Sequence, residues 1–96
     1  MSLLANPAHP GEVLSELYLK PLGMSAIALA RRLEVPRTRI ERLVKQETAL
    51  SADSAIRLAT FFGTTPEYWL NLQRGWDLAC AQSTVDVSRI KPLEAA

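Results

Sequence analysis

Between Ser25 and Val44 the chain reads SAIALARRLEVPRTRIERLV, and the spacing of three residues there leaves few ways to fold. Ala30 is small enough to let two helices cross closely. Glu34 follows four residues later, where a tight turn is needed. Ile40, ten positions after Ala30, is the branched residue that a second helix would bury against the first. Ser25 is a good N-cap for the first helix, and Ile27, Ala30 and Leu33, with Leu29 beside them, form its buried side. Val35 completes the turn. Pro36 suits the first turn of the second helix, where its missing N–H costs nothing. Ile40, Leu43 and Val44 then face inward. Glu34 is a departure: a turn of this kind tends to need positive φ, which strains a residue with a Cβ, so a looser turn is expected.

Ala30, Val35 and Ile40 are thus the core of a helix-turn-helix, whose second helix enters the major groove of DNA. Charge agrees with that reading. From Arg31 to Lys45 there are six basic residues (Arg31, Arg32, Arg37, Arg39, Arg42, Lys45) and two acidic ones (Glu34, Glu41), a local excess of +4 in a chain whose net charge is +1. A nearly neutral protein that gathers its charge on one helix aims that helix at a polyanion. Arg37, Thr38, Arg39 and Arg42 are expected to read base edges, because arginine can grip guanine O6 and N7 and threonine offers a hydroxyl and a methyl. Ser25, Lys45 and Gln46 are expected to hold phosphates, which position without specifying. One such helix reads only a few base pairs, so a homodimer on an inverted repeat in double-stranded DNA is expected. The alternative is a solvated basic face with no DNA role.

The flanking sequence completes an all-α, five-helix domain. His9-Pro10-Gly11-Glu12 opens a first helix, with Val13, Leu14, Leu17 and Tyr18 on its apolar face. Pro21 and Gly23 end it. Ser51 caps a fourth helix with apolar positions Ala55, Ile56, Leu58, Ala59 and Phe62, and Gly63 stops it. Thr65-Pro66-Glu67 gives cap, first-turn proline and first-turn acid for a fifth helix. The expected organisation is an N-terminal arm at 1–8, loose in character, a helix-turn-helix domain at 9–82 and a short C-terminal tail at 83–96, with Val85-Asp86-Val87 as a short extended piece.

Other function classes find little support. No apolar run approaches the roughly 18 residues of a membrane span, and residues 1–10 lack the pattern of a signal peptide, so a cytoplasmic protein without membrane contact is expected. One cysteine and one histidine argue against a disulfide, a metal site or a nucleophile–base pair; no metal, no cofactor and no enzymatic activity are expected. Cys80 is read as a small buried hydrophobe, and His9 as part of a capping arrangement. Asn71 and Gln73 either hydrogen-bond the preceding loop or face water. Trp69, Leu72, Trp76 and Cys80 fall on one stripe of the fifth helix. Ordinary core explains them, but Trp69 or Trp76 can also line a dimer seam or a partner contact, with Val85 and Val87 as tail residues that pair with another chain.

HPGEVL near the start, the helix-turn-helix, LSADSAIRLATFFGTTPEYWLNLQRGWDLA and the tail VDVSRI together resemble the HigA-type antitoxins, Xre-family proteins with a lambda-repressor-like fold that are also described as VapI-like plasmid-maintenance antidote proteins. The resemblance spans about His9 to Ile90. It implies the antitoxin of a type II toxin–antitoxin pair: a dimer that represses its own operon at an inverted-repeat operator and neutralises a HigB toxin, a RelE-like mRNA endonuclease. A stand-alone Xre-type repressor without a toxin is the other member of that family this pattern fits.

Overall fold

The computed structural model describes residues 4–94, and these hold five helices and no strand: α1 (Pro10–Leu22), α2 (Ala26–Leu33), α3 (Arg37–Val44), α4 (Ala52–Phe62) and α5 (Pro66–Thr84). The expected all-α architecture is the observed one. α2 crosses α3, α4 pairs with α5, and α1 bridges α3 and α5.

Helix boundaries follow the local chemistry. Ser25, Ser51 and Thr65 each accept a hydrogen bond from the backbone N–H three residues on, at 3.0, 3.1 and 3.1 Å, which satisfies a donor that the first helical turn leaves unpaired. Gly23 (φ 62) and Gly63 (φ 72) stop α1 and α4 in the left-handed conformation that glycine adopts without strain. Pro21 does not end α1 as expected; it lies inside it. A proline cannot donate to the carbonyl four residues back, and its ring crowds that carbonyl. The helix relieves this by winding Leu14–Leu19 as a π turn, in which the Lys20 N–H reaches the Ser15 carbonyl. The register of five brings Leu14 and Leu19 to the buried face, and Leu17, expected there, is 46% exposed.

Leu14, Leu29, Ile40, Ala55, Leu58 and Trp69 are fully buried and form the centre of the core. Two further residues expected inside, Ile27 and Ile56, are exposed, because the buried stripes of α2 and α4 centre on Leu29–Ala30–Leu33 and Ala55–Leu58–Ala59. Cys80 is exposed too, which corrects its reading as a buried hydrophobe. α5 has 19 residues, and no residue after Gln73 in it is buried; its last turns run past the core. The helix continues to Thr84, two residues beyond the expected boundary. Val85 is extended but pairs with no strand among the described residues.

At the other end Ala8 is buried and Leu4 packs against the core, so the described end of the arm is attached rather than loose. The rest of the expected arm, residues 1–3, and the end of the tail, 95–96, lie outside the described residues. No single helix among the described residues is long and apolar enough to cross a membrane.

Candidate nucleic-acid interface

The junction of α2 and α3 is tight. Glu34 adopts φ 61 and ψ 44. The Val35 N–H then donates to the Ala30 carbonyl at 3.0 Å and the Glu34 N–H to the Arg31 carbonyl at 3.2 Å, a closed helix ending of the kind glycine usually makes. The looser turn expected from Glu34 is therefore not what forms; the residue takes the left-handed conformation and carries its strain. Pro36 stands just outside α3, one position earlier than expected, with φ −59 and ψ 142, and its carbonyl accepts the Arg39 N–H at 3.0 Å. Ala30 and Ile40 are buried to 1% and 0% exposure, and Val35 packs against their edge.

Two contacts brace α3 from behind. Gly11, in the first turn of α1, lies so close to the end of α3 that a Cβ there would overlap the Leu43 carbonyl oxygen. His9 caps α1 by accepting the Gly11 N–H on Nδ1 at 2.9 Å, the capping role expected of it. Its ring meets Trp76 edge-on at 5.3 Å, and burial lowers its pKa, opposed by a hydrogen bond with the Thr48 backbone and by Asp77 and Glu12. Gln73 on α5 accepts the Leu50 N–H at 2.7 Å and donates to Asp77 at 2.8 Å. It ties the α3–α4 loop to α5. Asn71, the other polar residue singled out there, is exposed.

Successive helical residues step by about 100°, so Thr38, Arg42 and Lys45 stand opposite the buried Ile40. All three are exposed, as are Arg37, Arg39, Gln46 and Ser25. Among the described residues Arg42 keeps only a long ionic contact, with Glu47 at 3.9 Å. Arg37 lies on the α2 flank, beside Ile27, Ala30, Arg31 and Val35. Gln46 (φ 61) closes the end of α3 with a second left-handed residue, after which the Glu47 N–H donates to the Arg42 carbonyl at 2.9 Å. The outward face of α3 is thus a cationic ridge set by a buried junction.

Arg39 is placed differently from the other expected base readers. It leans to the α4 flank, and its guanidinium donates to Asp53 Oδ1 at 2.5 Å. The same oxygen accepts Arg57 Nε at 2.8 Å, and Arg57 also donates to the Leu33 carbonyl at 2.8 Å. The two guanidiniums, Arg57 foremost, hold the Asp53 carboxyl below its usual range. The sequence reading missed Asp53 and Arg57, although their i, i+4 spacing on α4 is a signal for such a pair.

The remaining candidates divide. Trp69 is fully buried and donates from its indole to Thr64 Oγ1 at 2.8 Å. It is core, and its reading as an interface residue falls. Trp76 is half-buried against His9. Val85 and Val87, 59% and 58% exposed, line a shallow apolar hollow with Leu78, Ala81 and Gln82. No group of three His, Cys, Asp or Glu among the described residues could hold a metal ion.

Comparison with known proteins gives the site its context. The helix-turn-helix family model matches residues 16–69. Virulence-associated protein I of Dichelobacter nodosus is 45% identical over 86 residues, which is 88% of this chain and 80% of that protein. The uncharacterised helix-turn-helix transcriptional regulator YddM of Escherichia coli is 40% identical over 94% of this chain and 95% of its own length. Among solved structures, the Pseudomonas aeruginosa antitoxin HigA with the higBA promoter superposes with a TM-score of 0.85 at 36% identity, covering 92% of this chain and 99% of the other. The antitoxin GraA in complex with its operator gives 0.86 at 38% identity and covers 99% of both chains.

Proposed function

This chain belongs to the helix-turn-helix family, among the HigA-type antitoxins, and from that premise we propose that it is a cytoplasmic antitoxin that represses its own operon and neutralises a HigB-like toxin. The observation that carries the DNA half is the ridge of Thr38, Arg42 and Lys45 directly opposite a buried Ile40. A helix held this rigidly presents its side chains in one register, which base readout requires. Arg37, Thr38 and Arg42 read base edges in the major groove. Ser25, Lys45 and Gln46 hold the phosphates on either side.

Two copies act together. The apolar hollow of Leu78, Ala81, Gln82, Val85 and Val87 is covered by the same surface of a second copy, and Trp76 lies on the same half of α5. The pair places its two α3 helices on half-sites about 34 Å, or a multiple of it, apart. The relatives bound to a promoter or an operator support this reading. It is tested by titrating the DNA upstream of the gene against scrambled DNA at two salt concentrations. Tens-fold tighter binding to the upstream DNA supports it, and equal binding overturns it.

A second reading is a repressor with no toxin, favoured by the similarity to YddM, named only as a transcriptional regulator. Co-expression with the product of any small neighbouring open reading frame separates the two. An antitoxin co-purifies with that product and relieves its toxicity; a stand-alone repressor does neither.

A further inference from the structure

We propose that Asp53 keeps Arg39 off DNA and thereby sharpens the choice between operator and random sequence; this rests on the DNA-binding role proposed above. Arg39 belongs to the basic helix by sequence, but its position on α3 is about 100° round from Ile40, on the flank that faces the first turn of α4. There Asp53 accepts from it at 2.5 Å. Arg57, which holds the same carboxylate at 2.8 Å, is itself fixed to the last carbonyl of α2. The clamp therefore has one end on each of the three helices around the interface.

Its energetics point away from stability. Asp53 is 55% exposed on its side chain, Arg39 40% and Arg57 38%, and exposed ion pairs add little to folding. What the clamp does is offer Arg39 a carboxylate inside the molecule, always within reach, in competition with any DNA phosphate. Binding to random DNA is governed by how many free cations can reach phosphates. On an operator, base contacts fix the register. On random DNA the protein settles wherever its cations find partners, so an additional free arginine helps random sequence more.

The test is Asp53→Asn, which removes the charge and leaves the shape, studied with the upstream operator and with random DNA over a range of salt. The expected result is random-DNA affinity raised about five- to tenfold at low salt and a salt slope steeper by about 0.9 per protomer, the value for one added phosphate contact. Operator preference falls correspondingly. Adding Arg39→Ala to Asp53→Asn returns the slope to that of the parent, and Asp53→Glu keeps the parent behaviour. An unchanged slope overturns the proposal. So does a gain that survives Arg39→Ala, because the effect would then come from net charge. A loss of operator affinity alone overturns it in the other direction, with Asp53 presenting Arg39 to a base. Absence of operator preference in the parent protein removes the underlying DNA reading and this proposal together.

Discussion

The α2–α3 unit and the far end of α5 with its tail both mix apolar with charged residues, yet one is closed within the chain and the other is open. In α2–α3 Leu29, Leu33, Ile40 and Leu43 are buried, Ile27 is 40% exposed at the edge, and the arginines stand outside. Beyond Gln73, Leu78, Val85, Val87, Ile90 and Leu93 are 56% to 98% exposed. A folded chain ordinarily scatters single exposed apolar residues, whereas Leu78, Val85 and Val87 gather around one hollow. The first region is therefore finished by folding, and the second is the one we propose to be finished by assembly.

The largest effect should come from breaking the foundation the two regions share. Trp69 anchors the first half of α5 in the core, and Trp69→Ala should cost about 3–5 kcal/mol of stability by denaturant unfolding. Leu78→Ala, on the same helix nine residues on, should cost less than about 0.5 kcal/mol when measured well below the dimerisation range. Similar losses at both positions would erase the distinction.

Next in size is the loss of assembly. Leu78→Glu places a charge in the apolar hollow and should yield a monomer in sedimentation experiments. Its operator affinity should fall on the order of 100-fold, because the second half-site no longer binds as part of one molecule. The parent's unfolding midpoint should rise with protein concentration, and the variant's should not. A dimer that persists would place the seam elsewhere.

A smaller effect belongs to the finished region. Arg42→Ala should weaken operator binding by about 1–3 kcal/mol and relax preference at one base pair, while leaving the unfolding free energy within about 0.5 kcal/mol of the parent. Lys45→Ala should instead weaken all sequences evenly and reduce the salt slope by about 0.9 per protomer. Equal losses on operator and random DNA for Arg42→Ala would make it a phosphate contact as well.

The same contrast explains what could be read in advance. Caps and stops are local chemistry, so Ser25, Ser51, Thr65, Gly23 and Gly63 were legible from their neighbours alone. The pairing of Ala30 with Ile40 was legible because its spacing is fixed by the motif. Pro21 misled, because whether a proline ends a helix depends on the winding of the turn before it, and the π turn is a packing outcome. Gly11 carried no signal of its purpose, since the Leu43 carbonyl it must clear lies 32 residues away in sequence. Arg39 looked like its neighbours on α3 until Asp53 was placed beside it. Trp69, Trp76 and Cys80 share a stripe, but the stripe outruns the core, and only the length of the other helices decides where cover stops.

The smallest effect tests whether the finished region holds any strain, and it concerns Glu34. A non-glycine residue in the left-handed region costs about 1–2 kcal/mol, and Glu34 is there with φ 61. Glu34→Gly removes that cost but adds unfolded-state freedom worth about 0.4–1 kcal/mol. The net expectation is a stability gain of about 0.5 kcal/mol. Glu34→Gln supplies the control, since it makes the same change in charge and keeps the Cβ, so the difference between the two variants isolates the backbone. Because the turn already has the shape glycine would give it, both variants should retain the parent's base preference, and any change in DNA affinity should be common to both. A glycine variant less stable than the glutamine one would mean that Glu34 is not held in the left-handed conformation, and that the α2–α3 turn owes its closure to something other than the Val35 to Ala30 hydrogen bond.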